Sequence, residues 1–163
     1  MKNGVLCAFS ASLAAGLLVP APASAECYDP PGAYVIWAKC DFARKNFEGA
    51  NLKRAVLEDA VLRHANLKGA NLERADLRGA DMSNADMSGV NLKNAKLMKA
   101  ILLDTNLSGA DLSGANLEGA YLERANLTGA NLTGAKLDAA SMSGATWTDG
   151  RKCKGNSVGE CKL

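Results

Sequence analysis

Ala65–Ala80 reads ANLKGANLERADLRGA. A small residue, an amide or carboxylate, a leucine and two further positions recur every five places. Working outward, the leucine position is held by Phe42, Phe47, Leu52, Leu57 and Leu62, and so on through Met82, Met87 and Leu92 to Met142 and Trp147. That is 22 centres without an insertion. Two places before each centre stands a small residue, mostly alanine, as at Ala50, Ala55, Ala60 and Ala70. Between the two comes Asn or Asp in most repeats, as at Asn51, Asn66, Asn71, Asp76, Asp81 and Asp86. A period of five suits neither an amphipathic helix nor an alternating strand. Self-similarity over so many copies predicts a stacked architecture, in which each unit buries its apolar face only against its neighbours.

This A-(N/D)-L-x-x run, from Cys40 to Asp149, resembles the pentapeptide repeat family. The resemblance implies an all-β fold, a right-handed quadrilateral β-helix with four pentapeptides per coil. By the same resemblance Leu and Ala point inward and the other three positions face solvent. A narrow tube holds one large and one small side chain per side, and that pair supplies them. Coils stacked about 4.8 Å apart make a rod roughly 26 Å long. The Asn/Asp column is expected to form hydrogen-bond ladders between coils and to satisfy turn backbone. Gly49, Gly69, Gly89, Gly109 and Gly129, which stack on one face, are expected to be corners.

Residues 1–25 read as a secretory signal peptide. Lys2 gives the charged start, Val5–Val19 an apolar run too short to span a bilayer with ease, and Ala23-Ser24-Ala25 a cleavage site. The expected mature chain begins at Glu26, is periplasmic or secreted, and has no stable membrane insertion. The remainder divides into an N-terminal cap (26–39), the repeat β-helix (40–149) and a C-terminal cap loop (150–163).

Cys7 leaves with the leader, so Cys27, Cys40, Cys153 and Cys161 remain in a compartment that permits disulfides. A rod of roughly 26 Å holds its ends far beyond the ~7 Å Cα separation a bridge tolerates. The expected pairs are therefore Cys27 with Cys40 and Cys153 with Cys161, one staple per end. The same distance excludes a site of four thiolates around zinc. Trp37 and Trp147, in phase with the centres, are expected to plug the two ends.

No catalytic, cofactor or metal site is expected, and the chain does not read as an enzyme. Its one histidine, His64, falls at an outward turn position, so neither a Cys–His nor a Ser–His–Asp arrangement is credible. Some pentapeptide repeat proteins are DNA mimics that bind topoisomerases. Copying duplex phosphate over roughly 26 Å requires about fifteen net negative charges. Residues 40–149 carry 13 Lys and Arg against 14 Asp and Glu, net −1. That balance and the leader both disfavour mimicry, and no nucleic-acid partner is expected.

Departures from the repeat carry the functional expectation. Val61, Ile101, Leu103 and Tyr121 occupy outward positions on one face, and Met98 lies on the adjoining face. These five are expected to expose an apolar patch that contacts another protein. The chain thus reads as a non-enzymatic, exported structural or protein-interaction module, with the stapled tail arguing for a monomer over a dimer. The alternative is a topoisomerase-binding DNA mimic.

Overall fold

The computed structural model describes residues 27–163; the leader read at 1–25, with its cleavage site and Cys7, lies outside them. From Ile36 to Thr146, every fifth residue is bridged in parallel to the residue twenty places on. Ile36 pairs with Val56, Asp41 with Val61, and so on to Asn126 with Thr146, with no slip of register. A rung is therefore twenty residues, and a turn every five gives it four sides. We call these the Phe42, Phe47, Leu52 and Leu57 sides after their early centres.

Each side is stitched in the same way. The N–H of Leu52 donates to the Asn71 carbonyl of the next rung at 2.8 Å, and the N–H of Asn71 returns to the Ala50 carbonyl at 2.9 Å. A turn follows each pairing residue, so the sides are isolated bridges and never lengthen into strands. The turn closes where the next small residue donates to the centre, as Ala65 N does to Leu62 O at 3.1 Å.

The second outward residue of every repeat from Tyr34 to Gly144 has positive φ, as a type II turn requires. Corners are thus not confined to the Gly49–Gly129 column. Closing a rung on four sides forces the same backbone at each corner whatever residue stands there. His64 at 58° and Ala139 at 56° accept it, at about 1–2 kcal/mol for a residue with a Cβ.

The inward positions form one continuous core of leucines and alanines from Leu52 to Leu127. At its start Trp37 is buried against the rings of Phe42 and Phe47, with centroids 4.6 and 5.5 Å away. Trp147 differs from the expected plug in being only half-buried. Closure there is done by the tail, which doubles back to bridge Lys152 to Thr146 and Val158 to Ser141 in antiparallel sense. Cys153 and Cys161 are joined with Cα atoms 5.1 Å apart, and Cys27 and Cys40 with Cα atoms 5.6 Å apart.

The tail covers only two sides of the last rung. On the other two, Leu132 and Leu137 are half-buried. The N–H groups of Leu132, Gly134, Leu137 and Ala139 have no backbone acceptor among the described residues. No helix among those residues is long and apolar enough to cross a membrane.

Candidate interaction surface

On the Phe47 and Leu52 sides the pairing position is held by amides and carboxylates from Asn46 to Asn131, with Thr146 the exception at the last rung. Each side-chain oxygen accepts the N–H two residues on, as Asn66 does from Lys68 and Asn71 from Glu73, both at 3.1 Å. Amides then bridge the rungs: Asn91 donates to Asn71 at 3.2 Å, Asn106 to Asp86 at 3.1 Å and Asn131 to Asp111 at 3.2 Å. The expected ladder is therefore present. Its aspartates titrate low. Burial works to raise the Asp86 carboxyl, but the N–H and hydroxyl of Ser88 and the amide of Asn106 outweigh it. For Asp111 the Ser113 hydroxyl and N–H dominate.

The other two sides keep these bonds only in part, at Asp41, Asp81, Asp76 and Asn116. The Leu57 side places Ile36, Val56, Lys96 and Lys136 at the pairing position, and the Phe42 side places Val61, Ile101 and Tyr121 there. None of these side chains can close the turn. Ile101 and Tyr121 are bridged directly, one rung apart.

The patch is smaller than its five residues suggest. Tyr121 is 48% exposed, while Val61, Met98, Ile101 and Leu103 are only half-buried positions rather than open ones. A pairing residue has neighbours above and below at about 4.8 Å, which shade its flanks. Asp81 interrupts the column between Val61 and Ile101, so Val61 stands apart. Met98 lies across the Lys99 corner from Ile101.

That corner borders a groove of about 430 Å³ along the Leu57 side, lined by Asp59, Arg78, Gly79, Met98, Lys99 and Glu118 among others. Gly79 and Gly119 carry no side chain at this corner, and the Asp59 carboxylate lies over Gly79. Arg78 is held by Asp76 at 2.7 Å and Glu58 at 3.4 Å. Lys99 and Glu118 make no ion pair among the described residues. Reading the corner column alone, Lys39, Asp59, Gly79, Lys99, Gly119, Ala139, would have located this groove.

Beside Tyr121, Glu123 has a buried carboxylate oxygen with no hydrogen-bond partner among the described residues. The next corner is fixed by Arg124, whose guanidinium makes two bonds to Asp104 at 2.7 and 2.6 Å and keeps that carboxyl below its ordinary range. Exposed apolar surface beside a rigid frame suits recognition. Among the described residues no group of three His, Cys, Asp or Glu side chains is placed to hold a metal.

A family model described as pentapeptide repeats matches residues 40–79, 65–104 and 105–144, in 8 copies. Among solved structures, QnrB1, a plasmid-mediated fluoroquinolone resistance protein, is similar with a TM-score of 0.59 and 25% identity, over 69% of this chain and 61% of its own. The chain thus spans less than two-thirds of that protein. Rfr23 of the cyanobacterium Cyanothece 51142 gives 0.52 and 29%, over 71% of this chain and 89% of its own. A pentapeptide repeat protein of the Arabidopsis thaliana thylakoid lumen gives 0.50 and 25%, over 76% and 84%. No curated protein matches the sequence.

Proposed function

Because the chain belongs to the pentapeptide repeat family, we propose that it is a non-enzymatic protein-interaction module. Its right-handed, four-sided β-helix presents one face to a partner, and the leader at 1–25 delivers it to the periplasm or beyond. The observation that carries this reading is the Ile101–Tyr121 step. There two apolar residues stand in register at positions where the Phe47 and Leu52 sides close their turns with Asn or Asp. A partner that covers Tyr121 removes from solvent the apolar surface this step leaves exposed. The balance of 13 cations against 14 anions over residues 40–149 supports this reading over mimicry of duplex phosphate.

The test is affinity capture from the extracellular and periplasmic fractions with wild type, Ile101→Ser/Leu103→Ser and Tyr121→Ser, each checked for an unchanged melting temperature. A partner held by wild type and released by the variants is expected. Identical capture by all three removes the Phe42 side from the reading. N-terminal sequencing that finds Met1 retained, on protein recovered from the cytoplasm, removes export.

A further inference from the structure

Among the described residues, three of the six large apolar side chains most exposed to solvent fall within nine residues at the start of the rod: Tyr28 at 90%, Tyr34 at 60% and Ile36 at 49%. Tyr34 and Ile36, with Asp29, Pro30, Ala33 and Val35, border a depression of about 410 Å³. Around them the first rung is cationic. Tyr34, Lys39 and Arg44 are three of its corners. Arg54 stacks over the Tyr34 ring at 5.6 Å. Lys45 occupies a slot that the repeat normally gives to an inward alanine, yet it is exposed.

The acids and bases here are not equally engaged. Asp41 accepts the N–H of Ala43 at 2.9 Å, and Glu48 accepts the Asn66 amide at 3.1 Å. Lys39, Arg44 and Lys45 make no ion pair among the described residues, and neither does Asp29, which leaves three uncommitted cations against one acid. Exposed tyrosines beside uncommitted cations match the chemistry of a lipid headgroup layer, where aromatic rings sit at the polar boundary and Lys and Arg meet anionic lipid.

We propose that this end of the rod rests on an anionic membrane surface through Tyr28, Tyr34 and Ile36, with Lys39, Arg44 and Lys45 over the headgroups. The contact is peripheral and distinct from the Tyr121 face, four rungs away.

The experiment is co-sedimentation of the protein, as recovered from cells, with phosphatidylcholine vesicles with and without phosphatidylglycerol. Binding is expected only with the anionic lipid and should fall as salt is raised. Lys39→Gln/Lys45→Gln should weaken it about 25-fold, taking ~1 kcal/mol for each cation near the surface. Tyr28→Ser/Ile36→Ser should weaken it at constant charge, and Tyr121→Ser should leave it unchanged. Equal binding to neutral vesicles, or indifference to the rim variants, overturns the proposal. So does retention on immobilised polyglutamate without vesicle binding, which would assign the rim to an acidic protein.

Discussion

The hydroxyl of Thr105 donates to the carbonyl oxygen of Met82 at 2.8 Å, tying two rungs together inside the core. Thr105 stands in a slot that the repeat gives to alanine, and it is fully buried. Thr105→Val keeps the shape and deletes the donor. Met82 O still receives the Ala85 N–H at 3.0 Å, so no acceptor is orphaned. The expected loss is about 1 kcal/mol in urea unfolding, near the net worth of one hydrogen bond. An unchanged midpoint would show that packing alone holds this site.

At the groove, Asp59 leans over Gly79 so closely that a Cβ there would overlap its carboxylate, and Gly79 has φ of +66°. Gly79→Ala is expected to destabilise by about 1–2 kcal/mol from the left-handed backbone alone. It should also push Asp59 out over the groove. Ala139 has the opposite mismatch, a Cβ at φ of 56° with no polar side chain to compensate. Ala139→Gly is expected to gain about 0.5–1 kcal/mol, the relief of strain reduced by the extra freedom of the unfolded chain. Thermal melts of both variants check the pair of signs.

Acid should weaken the fold through its laddered and paired carboxylates. Glu73 lies below its ordinary 4.5, chiefly through the hydrogen bond from Lys53. Asp76 lies below 3.8, because the Arg78 bonds outweigh the upward push of burial. Asp86, Asp104 and Asp111 are lowered as well. With folded values below unfolded ones, the unfolded chain takes up more protons as pH falls. The stability these groups contribute is therefore complete at neutral pH and lost as pH drops below 4.5 for Glu73 and below 3.8 for the aspartates. Urea midpoints are expected to be level from about pH 7 to about pH 5 and to decline below about pH 4. A midpoint that rises on acidification contradicts the assignment.

Hydrogen exchange should report the uncapped sides directly. The N–H groups of Leu92 and Leu97 donate to Asp111 and Asn116 at 2.7 Å in the next rung, whereas those of Leu132 and Leu137 meet no rung beyond them. The latter two are expected to exchange at least a hundredfold faster, since opening there breaks no ladder bond. Equal protection at the four sites would mean that another molecule occupies the edge in solution.

Much of this was legible because a five-residue beat leaves few alternatives. Leu52 to Leu127 had to face inward, and Asn71, Asn91 and Asp111 had to stack once twenty residues made a rung. The cysteine pairs followed from length alone. Exposure was harder to read: Ile101 and Leu103 are shaded by residues twenty places away, which a linear repeat does not display. The end of the rod was harder still. WTDGRKCKGNSVGEC reads as a loop, and nothing in its glycines foretold that Val158 would pair backward with Ser141 while Leu137 went uncovered.

Because every parallel pairing spans twenty residues and every corner takes five, the rod works as an angular gear. Excising one pentapeptide between Ala55 and Ala95 would turn Tyr121 a quarter revolution relative to the tyrosine rim, with each remaining rung intact. Excising four would shorten the reach between them and restore the original heading. Distance and bearing between the two surfaces can therefore be set separately, in steps of one storey and ninety degrees.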